Sequence, residues 1–303
     1  MRCSLIVRAA VLAVATLLTW SGSALAVPFF FSTGNPDGKI ATASRPSGAG
    51  GIEIESADDF VVSGGNLSLS SATFQGLIPT GAPLSSISSV GVEIYRVFPL
   101  DSDVTRTSGP PTFSTSSVPT RVNSPSDVEL ASRASGSGGG LTFTPGIVQP
   151  SFSASNSVQA GGIVKFPNQT TGGDGAVSGQ QVQFNVIFTS PISLPDGHYF
   201  FVPQVELSSG DFLWLSAPRP IVPPGTPFPA GATDLQSWIR DENLAPDWLR
   251  VGTDIVGAGT FNAAFTLSGD LSPVPEPATM LLWGTTMAAL GVVGRRRGQR
   301  RSS

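Results

Sequence analysis

Short runs of alternating apolar and polar residues, cut off by glycine and proline, limit this chain more than any other feature. In Val90-Gly91-Val92-Glu93-Ile94-Tyr95-Arg96-Val97-Phe98, the residues Val90, Val92 and Ile94 fall to one side, Glu93 and Arg96 lie nearer water, and Pro99 ends the run. A two-residue period is that of a strand with one buried face. Comparable runs cover 52–55, 59–62, 67–74, 128–131, 141–144, 181–188, 198–206, 212–216 and 260–268. The chain holds 35 Gly and 26 Pro, which supply turns between them. The pattern predicts a mostly β protein, an antiparallel β-sandwich of jelly-roll or Ig-like type with long Pro/Gly/Ser loops. There is no repeat of fixed period, which argues against a solenoid or propeller.

Helical spacing is scarce. The one good stretch is 234–240, where Leu235, Trp238 and Ile239 share a face and Thr233 or Asp234 can cap the start. It predicts one short helical insertion, ended by Pro246, with a second short turn around Trp248. The long loops are 101–125, 134–140, 168–179 and 217–231; the Ser/Gly run at 135–140 suits either a domain boundary or a hairpin excursion.

Both ends read as addresses. Arg2 and Arg8 precede an apolar core from Ala9 to Leu18, and Ala24-Leu25-Ala26 places small residues at Ala24 and Ala26, as a signal peptidase requires. Residues 1–26 are thus expected to be a signal peptide removed before Val27. Cys3 is the only cysteine, so the mature chain has none, and disulfides, thiol catalysis and cysteine metal sites drop out. At the other end, 278–294 carries no charge. At a rise of about 1.5 Å per residue it reaches roughly 26 Å, the short end of what crosses a hydrocarbon core of about 30 Å. Pro275 and Pro277 bound it upstream, and Arg295, Arg296, Arg297, Arg300 and Arg301 form a basic stop. This predicts a single C-terminal transmembrane helix over 278–294.

The order Val274-Pro275-Glu276-Pro277, apolar run, arginine cluster resembles the PEP-CTERM sorting signal of exported bacterial proteins. The resemblance covers only the end of the chain, with 274–277 as motif and 295–303 as basic tail. It implies recognition and processing by an exosortase, a membrane-embedded protease. The partners to expect are signal peptidase, that protease and the membrane itself. The implied location is a membrane-anchored precursor in the bacterial envelope, then the cell surface or extracellular matrix. About the exported domain, 27–273, the resemblance implies nothing.

That domain keeps ten of the 17 Lys and Arg and 20 of the 21 Asp and Glu, a net charge near −10 against −4 for the whole chain. Such a surface repels phosphate backbones, so nucleic acid is excluded as a partner, whereas cations or a neutral envelope or matrix polysaccharide suit it. His198 is the sole histidine, and no G-x-S-x-G elbow nominates a serine. Asp196-Gly197 reads as a turn opening a strand, with His198 at its edge. Asp58-Asp59, Asp174 and Asp101-Ser102-Asp103 are the carboxylate clusters; Asp101 and Asp103 are the candidates for a structural calcium, which needs six to eight oxygens. Glu206 and Asp211 flank a hairpin-like segment at the surface. No cofactor and no catalytic residue is expected. Trp214, Trp238 and Trp248 could form a sugar-stacking platform. The leading expectation is a non-enzymatic surface or matrix protein, structural or binding. The alternative is a carbohydrate-binding (lectin-like) or glycan-hydrolysing ectodomain.

Overall fold

Most of the alternating runs lie in strands, several longer than the sequence pattern. The computed structural model describes residues 26–48, 51–103, 122–163, 170–242, 248–257 and 259–272, and 27–271 form one compact unit. In chain order the strands are β1 (Val27–Ser32), β2 (Ile40–Ala43), β3 (Ile54–Val62), β4 (Asn66–Ile78), β5 (Ile87–Arg96), β6 (Ala131–Ala134), β7 (Leu141–Ala154) and β8 (Asn156–Val158). The remainder are β9 (Val177–Leu194), β10 (Gly197–Leu207), β11 (Leu213–Ala217), β12 (Trp238–Asp241), β13 (Leu249–Arg250), β14 (Asn262–Ala263) and β15 (Phe265–Ser272).

They form two sheets. In the nine-stranded one β4 is central: β9 and then β7 lie to one side, and β15–β1 and β11–β2–β8 to the other, with β14 on β11. The six-stranded sheet runs β13-β12-β3-β10-β5-β6. All the registered pairs are antiparallel except β2 with β8. The fold is therefore mostly β, with mixed pairing in the larger sheet.

The main core draws side chains from both sheets: Phe60, Val92 and Phe201 from the smaller, and Leu69, Phe74 and Phe184 from the larger. Aromatic rings fill its middle. Phe74 stacks on Phe184 at 4.8 Å, and Phe201 of β10 stacks on Phe265 of β15 at 5.1 Å, tying one sheet to the other. Burying each such ring stabilises the fold by roughly 1.5–3 kcal/mol. Gly76 lets Phe212 pack edge-on against β4, because a Cβ there would meet that ring at 2.1 Å. Two smaller clusters flank this core, one around Leu77, Leu215 and Ile255, the other around Tyr95, Phe200, Trp238 and Trp248.

The helical insertion expected at 234–240 is a turn followed by a strand. Gln236 sits at φ 67°, in the left-handed region, and β12 then pairs with β3 through Trp238↔Ala57 and Arg240↔Glu55. Asp234 does cap locally, accepting the backbone N–H of Gln236 at 3.3 Å, but the motif closes a turn. Open positions beside β3 favour strand pairing over a short isolated helix, which is marginal by itself. Trp248 leads into the two-residue strand β13; Pro246 lies outside the described residues. The helical content near here is a π-turn, Val251–Val256.

The Ser/Gly run at 135–140 links β6 in one sheet to β7 in the other, within one compact unit. Likewise the segment between Glu206 and Asp211 passes from β10 to β11 in the opposite sheet, so it is a crossover and no hairpin. Among the described residues no helix is long and apolar enough to cross a membrane. The span expected at 278–294 lies outside them, as do Ala24, 274–277 and the arginine cluster.

Candidate functional site

The outward side of the smaller sheet gathers one cluster of chemistry-bearing side chains. Glu53 precedes β3, Glu55 lies on it, Glu93 and Tyr95 are on β5, Gln204 is on β10 and Arg240 on β12. Arg240 forks onto both oxygens of Glu55, and its terminal nitrogen also donates to the Tyr95 hydroxyl at 3.0 Å. The guanidinium lies 4.4 Å from the Trp248 ring centre and 5.2 Å from that of Tyr95. Tyr95 donates to Glu55 at 2.5 Å or to Glu93 at 2.9 Å, and Gln204 donates to Glu53 at 2.8 Å. Glu55, Tyr95, Arg240 and Trp248 are all buried.

This crowding sets the proton affinities. Burial, then the charge of Glu55 beside it, pushes the Glu93 carboxyl up to about 8, so it is largely protonated at neutral pH. Burial raises the Tyr95 hydroxyl as well, assisted by Glu55. Burial works against the charge on Arg240, but Glu55 outweighs it and holds the guanidinium protonated. The Tyr95 hydroxyl stands between the two carboxyls, within hydrogen-bond distance of both Glu55 and Glu93.

A second cluster sits where the 217–237 segment crosses β3. His198 Nε2 meets Asp59 at 2.5 Å, and the other Asp59 oxygen accepts the backbone N–H of Leu235 at 3.1 Å. Asp58 accepts from the Ser237 hydroxyl at 3.2 Å and from the N–H of Ala263 at 2.7 Å. Asp234 pairs with Arg219 and accepts from Asn262 at 2.9 Å. Burial, followed by the neighbouring Asp59 and Asp234 charges, holds Asp58 well above the usual carboxylate range; burial also raises Asp59, against the pull of His198. Leu235 and Ser237 tie the crossing segment to β3 through Asp59 and Asp58, and Asp234 ties it to β14 through Asn262. His198 stands at the start of β10, as the Asp196-Gly197 turn predicts.

The three tryptophans are buried, at 1% exposure for Trp214 and Trp238 and 3% for Trp248. Their indole N–H groups donate to the carbonyls of Ala264, Leu235 and Ser126. They offer no open face, and the stacking platform is corrected to core packing: each ring gains more from burial than from water. Asp101 is held by both donor edges of Arg96, and the Asp103 N–H donates to Asp127 at 3.0 Å. Among the described residues no group of three His, Cys, Asp or Glu is placed to hold a metal; Asp101 forms an ion pair with Arg96, and Asp127 staples the loop at Asp103. Glu206 accepts from Ser89 and Asp211 pairs with Arg45.

The outward side of the larger sheet is of another kind, and sequence reasoning passed over it. No charged residue occurs in β1, β4, β7 or β9, and β15 has only Asp270. The pairing sets Thr144, Asn185 and Thr73 side by side, and next to them Gln183 and Gln75. The available signal was the absence of charge across long runs at 135–164 and 175–195.

The chain thus has a two-sheet β domain whose charged clusters are turned to internal pairing. The segment C-terminal to β15 identifies its route. A family model of the PEP-CTERM protein-sorting motif matches residues 273–297, so the chain carries the tail of an exported protein sorted by exosortase, with export and membrane-associated sorting to the cell envelope. No curated protein and no solved structure matches it.

Proposed function

We propose that this protein is a non-enzymatic component of the cell surface or extracellular matrix. Its two sheets form a β-sandwich that is exported, freed of residues 1–26, and processed at its C-terminal tail. The observation that carries this reading is the pairing of β1 with β15, in which Val27↔Leu271 is the first registered pair. The first residue after the expected signal-peptidase bond thus lies opposite the last stretch of strand before the sorting motif at 273–297. An N-terminus made by cleavage can then be locked into the sheet, and a domain whose two ends leave together can be held or released at one point. The absence of a catalytic role is supported by the internal pairing of Glu55, Glu93, Asp58, Asp59 and His198.

Mass spectrometry of the mature protein tests the reading. The expected chain begins at Val27 and lacks Arg295–Arg301. A mature chain that keeps residues 1–26, or keeps the arginine cluster in cells with a working exosortase, overturns it.

A further inference from the structure

We infer that the outward face of the β1–β15–β4–β9–β7 half of the larger sheet is a binding face for a neutral, hydroxyl-rich polysaccharide. Three observations converge. Charge is missing from the face: four of its five strands carry none, within a domain of net charge near −10. A polyanion would meet repulsion from the rest of the domain, and a polycation would find no carboxylate on the face except Asp270 at its rim.

The side chains that do stand there are hydroxyls and amides in cross-strand rows, Thr73, Asn185 and Thr144 in one and Gln75 with Gln183 in the next. Each amide both donates and accepts, and each hydroxyl does the same, the capacity that sugar hydroxyls match. They are already partly oriented: Gln183 donates to Asn185 at 2.9 Å, and Asn185 to the Thr144 carbonyl at 3.3 Å. Neighbouring rows are spaced by about 6.6–6.8 Å along a strand, so the face offers a periodic surface to a periodic polymer.

Apolar contact comes from Phe30 and Ile187. Phe29 and Phe31 point to the core side, so alternation sends Phe30 outward, where it is 58% exposed; it is the one aromatic among the large exposed hydrophobics of the described residues. It stands opposite Ser268 of β15, and Ser70 of β4 donates to the Ser268 carbonyl at 3.2 Å. Ile187, 60% exposed, stands opposite Ser71 and Thr142. A few apolar patches set among convergent polar groups suit a sugar, which has C–H faces and hydroxyl edges.

The rival occupant is a second copy of the chain. Pairing along the β7 edge is opposed by Pro145 and Pro150, which have no N–H, and by two register breaks between Ile147 and Phe152; Pro28 does the same on β1. The inference rests on the proposed export only for where the polymer is met. The terminal masses test export, and binding in solution tests the face, so the two can fail separately.

Affinity electrophoresis of the full-length protein in mild detergent, through gels with dextran, a soluble mixed-linkage β-glucan or alginate, gives the test. At least one neutral glucan is expected to retard the protein, with alginate giving no retardation. Phe30→Ala and Asn185→Lys are each expected to weaken that retardation about tenfold, equivalent to about 1.4 kcal/mol. Both sites are exposed, and an unchanged far-UV circular dichroism spectrum confirms that the variants fold. Retardation by alginate alone, by no polymer, or by a neutral glucan equally in both variants overturns the inference. So does concentration-dependent dimerisation lost on Asn185→Lys without glucan retardation, which assigns the face to a second copy.

Discussion

The two sheets turn opposite kinds of surface outward. On the smaller one, β3, β5 and β12 carry Glu55, Glu93, Tyr95 and Arg240, and Trp248 with the 124–128 loop closes over them. On the larger one, β4, β9 and β7 carry Ser, Thr, Asn and Gln, and Asn185, Thr144 and Thr142 remain exposed. Charge therefore goes where the chain folds back to neutralise it, and neutrality goes where the sheet stays open. Chemically reactive residue types do not by themselves mark a site. Here Arg240 and Trp248, desolvated and paired, fasten the 124–128 loop over the smaller sheet.

If the contrast holds, substitutions should part sharply by sheet. The largest effect is expected from Arg240→Ala, which takes the cation away from the buried Glu55 and leaves it the Tyr95 hydroxyl alone, at a cost of roughly 3–5 kcal/mol in chemical denaturation. A loss under about 1 kcal/mol would mean that water reaches the cluster and that the face is open.

Next comes the pH dependence set by Glu93. Its carboxyl titrates near 8 in the folded domain against 4.5 as the ordinary value, so the folded state binds more protons between the two. Its contribution is complete below about 4.5 and is lost as pH rises through about 8. Asp58 and Asp59, both raised, add in the same direction. Stability should fall between pH 5 and 8.5, by on the order of 4 kcal/mol from Glu93 alone. Glu93→Gln should reduce the slope in denaturation curves taken across that range. The groups facing Glu93 are Glu53 and Glu55 from the β3 side, Tyr95 on its own strand and Arg240 from β12, so a slope unaffected by the substitution would shift the effect to the Asp58–Asp59 pair. The smallest effect is expected on the open face, where Thr144→Ala should change stability by no more than about 0.5 kcal/mol.

Much of the fold was legible because the signals were local. The alternation at 90–96 is β5, and the runs at 67–74 and 181–188 sit inside β4 and β9. The short strands β1, β2, β8 and β12 were not legible, since four buried residues such as Ile40–Ala43 have no alternation to show. At 234–240 the helical spacing of Leu235, Trp238 and Ile239 came from a turn residue, then a strand with one side chain to each face. The same limit applied to the tryptophans. An aromatic in an apolar run suits a core or a platform equally, and only the facing sheet decides between them.

The sequence by itself determined the C-terminal sorting motif, the β class and the acidity of residues 27–273. These depend on residue type and near-neighbour order, which need no folding to be read. The tertiary structure alone decided that Glu93 is buried beside Glu55, that Arg240 packs against both Trp248 and Tyr95, and that Phe30 stands outward beside neutral rows. Those outcomes depend on register between strands far apart in the chain, and a shift of one residue would send every side chain to the other face.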